Sequence, residues 1–303
     1  MFELKADHLL SLCEANEFPI DKNALVFVGV RGCLPLSPFD HAPRDTQRLN
    51  ASRVDYQHPR CTLIQWWPSR GTFATFPGST VPHQKYIELA RKRDGVGCNQ
   101  LMSGFWDDYR RGRHKGFGPT GHEAWQQTAS RPLRRTANDL DYDPLDRVEI
   151  TNPADNLHAA WCAGLDSDYS SAGCQVVVGF PKCKSRDGQP ATGPWKAFHE
   201  SAWALPQTRY GYVLLSGSEI ERVALVGVEP GAERVRFGSA GPRTQRIQSA
   251  LKDLGYYEGE LDGAFGPRSL RALLQFQEDV FGPGGDDGIC GPQTAEALKV
   301  SWP

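Results

Sequence analysis

His158 and Cys174 stand sixteen residues apart, in Asn156-Leu157-His158 and Ser170-Ser171-Ala172-Gly173-Cys174-Gln175-Val176. A thiolate is intrinsically nucleophilic, and a neighbouring imidazole can take the thiol's proton and lower its pKa. Cys174 follows a small, flexible turn and precedes an apolar strand, a placement that presents a thiol at a strand start. Gly173 lets a reacting carbonyl come close, and the N–H groups of Gly173 and Cys174 are candidate oxyanion donors. The same pattern also suits a buried, inert cysteine used as a small hydrophobe. Metal chemistry is a poorer fit. His158, Cys162, Cys174 and Cys183 form an H-x3-C-x11-C-x8-C array with no zinc-motif spacing, and no H-E-x-x-H helix occurs. No metal and no cofactor are expected.

The elements that must hold these residues are mostly strands. Ala24–Val30, Cys61–Trp67, Gly71–Phe76, Gln175–Val178 and Tyr210–Leu215 are apolar runs rich in β-branched and aromatic residues, punctuated by Gly and Pro. Helices are expected over Gln84–Lys92 and Trp195–Trp203. Segments 38–60 and 181–194 are polar and read as long surface loops. The fold class is therefore a mainly β domain of sandwich or barrel type. Trp66, Trp67, Trp106, Trp125 and Trp161 serve either a core or a glycan-stacking cleft; Trp161, three residues after His158, is the one placed to wall a pocket.

The C-terminus carries an internal repeat. Asp262-Gly263-Ala264-Phe265-Gly266-Pro267-Arg268-Ser269 recurs as Asp287-Gly288-Ile289-Cys290-Gly291-Pro292-Gln293-Thr294, each followed by an Ala-Leu pair. Asp-Gly makes a tight turn, and Gly-Pro opens a helix with Pro at its first position. Ile247, Leu251 and Leu254 lie on one face of a helix ending near Gly255. Three short helices joined by two similar turns follow. With Gln248, Tyr256-Tyr257 and Phe276-Gln277 in order, residues 234–300 resemble the peptidoglycan-binding domain family. That resemblance implies a small three-helix module that binds bacterial cell wall, with Tyr256, Tyr257, Asp262, Phe265 and Asp287 as its wall-binding residues.

His158, a gap of twelve residues and Ser171-x-Gly173-Cys174 resemble the L,D-transpeptidase motif, over about residues 150–216. The resemblance implies Cys174 as nucleophile, His158 as general base, Ser171 hydrogen-bonded near the imidazole, and Gly173 with Cys174 as the oxyanion site. Gln175, Trp161 and His114 are the accompanying substrate-binding candidates. The implied reaction is attack on a stem-peptide carbonyl, the acyl-enzyme being resolved by an amine or by water. Three departures stand out. Ala172 replaces a family histidine, and Gln175-Val176 replaces an apolar residue and an arginine. His158 is followed by Ala159 rather than glycine. S-x-G-C-Q is closer to the divergent phage and effector branch, which points to degrading wall peptide rather than building it.

The chain has 303 residues and a net charge of −2, against a protein that coats nucleic acid or anionic membrane. No run approaches the length of a membrane span. The basic stretch Tyr109–Gly116 reads as a hairpin face, and Asp139, Asp141, Asp143 and Asp146 as partners of Arg131–Arg135. Acidic residues interrupt the N-terminal segment, so no export signal is read there. The expectation is a protein made in the cytoplasm that acts in the periplasm or cell wall after delivery by a secretion machine or phage lysis. Residues 1–25 are a candidate docking segment, and an immunity protein is the expected partner of a toxin. The organisation read is 1–225 catalytic, 226–240 linker and 234–303 wall-binding. The alternative is a non-catalytic wall-binding structural protein on a degenerate transpeptidase fold.

Overall fold

The computed structural model describes residues 1–93, 97–136, 142–229 and 231–302. In chain order the elements are β1 (Phe2–Lys5), α1 (Ala6–Ala15), β2 (Val26–Arg31), β3 (Cys33–Pro35), β4 (Thr46–Ala51), β5 (Cys61–Trp67), β6 (Thr72–Ser79), α2 (Gln84–Arg93), β7 (Cys98–Leu101) and β8 (Gly104–His114). Then come β9 (His122–Gln126), β10 (Arg131–Thr136), β11 (Arg147–Thr151), β12 (Leu157–Ala159), β13 (Gln175–Val177), α3 (Gly193–Trp203), β14 (Arg209–Ser216) and α4 (Gly217–Val226). The C-terminal helices are α5 (Pro242–Asp253), α6 (Pro267–Phe281) and α7 (Pro292–Ala297).

Eight strands close into a barrel in the order β12-β13-β6-β5-β2-β14-β8-β9. The apolar runs read from the sequence all become barrel strands, because alternate residues point to two different cores. Phe27, Leu63, Phe76, Trp125, Leu157, Val177 and Tyr212 share one core with Trp195 and Phe198 of α3. Val26, Val28, Ile64, Phe73 and Val213 turn the other way and pack against α1, α4 and β1. Segment 38–60 is not all loop: β4 pairs with β1 and β3 in a small sheet. Residues 1–15, read as part of a docking segment, are built into the core through Phe2, Leu4, Leu9 and Leu12. A second small sheet, β11-β10-β7, flanks the barrel. No described helix is long and apolar enough to cross a membrane.

The fold is thus a mainly β domain followed by three helices, as the sequence indicated. The repeat has a physical origin in two buried glutamines. Gln248 of α5 donates to Asp262 Oδ1 (2.8 Å), Ala264 O (3.1 Å) and Ser269 Oγ (3.1 Å), and accepts from Gly263 N (2.9 Å). Gln277 of α6 donates to Asp287 Oδ1 (2.8 Å), Ile289 O (3.1 Å) and Thr294 Oγ1 (3.3 Å), and accepts from Gly288 N (2.9 Å). Gly263 and Gly288 take φ of 70° and 74°, which explains their place in both copies.

The helices sit on the β domain through specific contacts. Glu17, just after α1, accepts from the backbone N–H groups of Arg243 (2.8 Å) and Thr244 (2.9 Å), capping α5 from outside its own segment. Gly241 leaves room for that carboxylate; a Cβ there would lie 2.6 Å from Glu17 Cδ. Buried Arg236 pairs with Glu219 of α4 and donates to Ser103 Oγ (3.0 Å). Val235 and Cys290 exchange backbone hydrogen bonds (2.9 and 2.8 Å). Residues 234–240, read as linker and domain start, are therefore hydrogen-bonded into both parts. Glu17→Ala removes a cap and a favourable charge at a helix N-terminus, and is expected to cost about 2 kcal/mol in denaturant unfolding. Unchanged stability would contradict this role.

Candidate active site

β12 and β13 run parallel, with His158 opposite Val176. Leu157 and Ala159 point into the barrel core, so His158 between them must face the other way. Cys174 lies two residues before Val176, on the turn that feeds β13, and is thereby brought beside the imidazole. Both groups line a pocket of about 520 Å³ with His114, Lys115, Ala154 and Asn156.

His158 Nδ1 lies 2.7 Å from Ala159 O. A carbonyl only accepts, so Nδ1 carries the proton and Nε2 holds the free lone pair. Nε2 is buried and has no hydrogen-bond partner. Burial holds this imidazole well below the usual range, with His114 and His122 adding to the effect. Burial likewise raises the Cys174 thiol, and the Asp155 carboxyl raises it further. At rest the pair is therefore neutral rather than an imidazolium–thiolate. The sulfur contacts Ala154 O at 3.7 Å. Ala154 itself has φ of 62°, an unusual conformation for a residue with a Cβ.

His114, at the end of β8, stacks face to face on His158 with ring centroids 4.0 Å apart. Burial and His122 bring its pKa to about 4. Asn156 Nδ2 lies 3.2 Å from His114 Nδ1, while Asn156 Oδ1 accepts from Gln127 N (3.1 Å), so this amide sets the ring. Among the described residues, the donor atoms of His114, His158 and Cys174 lie within 4.8 Å of one another. They do not fit a metal ion, because Asn156 Nδ2 donates to His114 Nδ1 and the in-plane lone pairs of two rings lying flat on each other cannot meet at one ion. Cys162 and Cys183 of the sequence array are not in that group.

Several residues read as functional have other roles. Ser171 Oγ donates to Cys174 O (2.7 Å) and accepts from Gly173 N (3.1 Å), so it builds the turn rather than orienting the imidazole. The Gly173 N–H is thereby engaged and is not a free oxyanion donor. The backbone N–H groups of Cys174 and Asn156 are the ones that favour a charged sulfur. Gly173 is needed for space: at φ of 130°, a Cβ would lie 2.1 Å from Asn99 Nδ2 and 2.7 Å from Asp155 Oδ1. Gln175 is fully buried, donating to Gly173 O (3.0 Å) and accepting from Tyr212 OH (2.8 Å); it faces the interior, not the pocket. Trp161 stands one layer out, edge-on to His122 at 5.7 Å. Trp66, Trp106 and Trp125 are core residues.

Sequence reasoning missed the hydrogen-bonded Asn99–Asp155 pair beneath the cysteine turn, because β7 brings Asn99 from far along the chain. Burial raises Asp155 to a pKa of about 7. In the basic stretch, Arg111 and Arg113 donate to backbone carbonyls, including Ala202 O (3.3 Å) and Gly121 O (2.9 Å), so they build structure rather than an open basic patch. Arg131 pairs with Asp108 and Arg135 with Glu149, while Arg134 donates to Asp146 O (3.0 Å) and lies in the field of Asp143 and Asp146 of the acidic cluster. Asp139 and Asp141 lie outside the described residues.

On the helical part, Asp262 and Asp287 each accept from Gln and from the backbone two residues on, and Phe265 is buried; these three shape the turns. Tyr257 is largely buried, its hydroxyl on Glu260 O (2.8 Å). Tyr256 lines an open groove with Arg268, Arg271 and Gln275. The match to known families falls on this region. Residues 240–298 match the family model described as a putative peptidoglycan binding domain. No curated protein and no solved structure matches the chain. The match spans α5 to α7 and supports association of this part of the chain with peptidoglycan.

The buried imidazoles predict acid sensitivity. His114, His122 and His158 are all lowered by burial, and His41, His83 and His199 are displaced the same way. Below about pH 6.5 the unfolded chain takes up protons that these folded imidazoles refuse, so stability falls with pH. Asp155 opposes this, since its raised folded pKa retains a proton between about pH 7 and pH 4. The imidazoles outnumber it. The thermal midpoint should drop between pH 7 and pH 5, and more steeply in Asp155→Asn; a rise on acidification would contradict the assignment.

Proposed function

We propose that this protein is a peptidoglycan-modifying cysteine enzyme acting on stem peptides through a Cys174 acyl-enzyme. The observation that carries the reading is the buried His158 Nε2, unpartnered beside Cys174 in a pocket, in a chain that also bears a peptidoglycan-binding domain.

The neutral pair sets the mechanism. As Sγ attacks the carbonyl carbon of a stem peptide, the thiol proton passes to His158 Nε2. The carbonyl electrons move to oxygen, where the Cys174 N–H is the candidate donor, since the Asn156 N–H is given to Ala154 O (2.8 Å) and the Gly173 N–H to Ser171 Oγ (3.1 Å). The tetrahedral intermediate collapses, the C–N bond breaks, and His158 returns the proton to the departing amine. The Cys174 thioester is then resolved by water or by an acceptor amine. Water gives carboxypeptidase or endopeptidase activity of the L,D type; an amine gives exchange. Arg113 and Lys115 both line the pocket; Arg113 donates to Gly116 O (3.1 Å) and Gly121 O (2.9 Å), which leaves Lys115 as the candidate partner of a stem-peptide carboxylate. This supports recognition without the arginine that Val176 replaces.

The wider reading is an antibacterial role, as an injected effector toxin or a phage endolysin working in the periplasm. An immunity protein seated over Cys174 would be the partner of a toxin. Docking of the binding domain onto the barrel supports delivery of a fixed catalytic pocket to an insoluble, repetitive substrate.

Wild-type protein and Cys174→Ala are incubated with Gram-negative peptidoglycan and the muropeptides resolved by mass spectrometry. The expected result is shortened stems, opened cross-links or exchanged termini with wild type, reduced at least a thousandfold in the variant, on the order of the loss of a covalent nucleophile. Identical profiles, with both proteins still sedimenting with the wall, would leave a non-catalytic wall-binding protein.

A further inference from the structure

Two cations on the helical part are not used by the fold. Arg268 and Arg271 are exposed on α6, and neither has an ion-pair or hydrogen-bond partner among the described residues. The field of Arg268 reaches Asp262, but that carboxylate accepts from Gln248 and from Ala264 N (2.9 Å). Three positions apart, the two arginines share one face of the helix. With Tyr256, Glu258 and Gln275 they line a groove of about 620 Å³, and both also border a neighbouring hollow of about 390 Å³. Gly255, Gly259 and Ala272 add little bulk to the groove lining. The other groups are anchored. Tyr256 packs edge-on against Phe276 at 5.4 Å, and Gln275 donates to Asp279 Oδ1 (3.0 Å).

The internal repeat shows that the turns do not require these cations. The positions matching Arg268 and Arg271 in the second copy are Gln293 and Glu296. The residues that build the turns are kept in both copies: the Asp-Gly pair, the Gly-Pro pair, and Ser269 or Thr294 on the clamping glutamine. The copies therefore share their architecture and differ in the charge they present. Paired guanidinium groups select carboxylates, which each can hold by two parallel hydrogen bonds. In intact peptidoglycan the glycan strand is uncharged, because its lactyl carboxyls are amide-bonded to the peptides. The free carboxylates are those of the stem peptides. Glu258 on the same groove suits the free amine that an uncross-linked stem also carries.

We infer that Arg268 and Arg271 bind the carboxylates of a stem peptide, so that the helical part reads peptide rather than glycan. The inference rests on association of residues 240–298 with peptidoglycan and needs no chemistry at Cys174 for its readout.

The test uses the full chain carrying Cys174→Ala, which leaves the wall unaltered, with and without the pair Arg268→Gln and Arg271→Gln. Both proteins are checked for native circular dichroism and thermal midpoint. Affinities come from cosedimentation with Gram-negative sacculi and with chitin, an uncharged N-acetylated glycan. The competitors are a soluble stem tetrapeptide and the same peptide with its carboxyls converted to amides. Sacculus binding should be at least tenfold weaker in the glutamine pair. Chitin should be bound at least tenfold more weakly than sacculi, and the free-acid peptide alone should displace the protein. Equal sacculus binding with and without the arginines would overturn the inference while leaving wall association in place. So would equal retention on chitin, or equal displacement by the amidated peptide. Failure of the arginine-bearing chain to sediment with sacculi would overturn wall association itself, and the inference with it.

Discussion

Two three-residue strands running side by side hold the candidate site together. β12 and β13 are parallel, and their pairing places Val176 opposite His158. The same pairing closes the barrel, since β12 continues to β9 and β13 to β6. The alternation that sends Leu157 and Ala159 into the core turns His158 outward. A one-residue slip would turn the imidazole into the barrel core and carry Leu157 and Ala159 to the pocket side. Barrel closure and assembly of the cysteine–histidine pair are therefore one structural event.

Burial at this seam has a chemical consequence. Desolvation raises the thiol and lowers the imidazole, so the uncharged pair is the resting form. Such a pair works by passing a proton during attack, and it protects the sulfur from indiscriminate reaction between turnovers. The strained carbonyl of Ala154 and the Gly173 turn over Asn99 and Asp155 show how tightly the surroundings define the sulfur's position. The reading from residue types alone favoured a thiolate lowered by its neighbour; burial reverses that direction.

How much was legible follows from how local each signal is. The strands, the Cys–His spacing and the D-G-x-x-G-P turns are short-range patterns, and each could be read from adjacent residues. Gln248 and Gln277 were visible as part of a resemblance, but their role as clamps on the repeated turns needed three dimensions. Asp262 and Asp287 are exposed, as their Asp-Gly turns suggest, but one carboxylate oxygen of each is committed to those glutamines. His114 could be named from the sequence as a substrate-binding candidate, but not its stacking on His158; Asn99 and Asp155 meet beneath the turn from separate segments that no spacing in a single sequence relates. Gln175 follows the nucleophile in sequence but alternates to the opposite face of the strand, where Tyr212 receives it.

The central claim is that Cys174 carries the acyl group. A soluble disaccharide-tetrapeptide is mixed with the enzyme, the reaction is quenched in acid within the first turnover, and the intact protein is weighed before proteolytic mapping. The account expects a transient mass increase equal to the acyl portion of the stem peptide, mapped to the peptide containing Cys174. Turnover of the substrate with no adduct at any time point, continuing in Cys174→Ser, would contradict it.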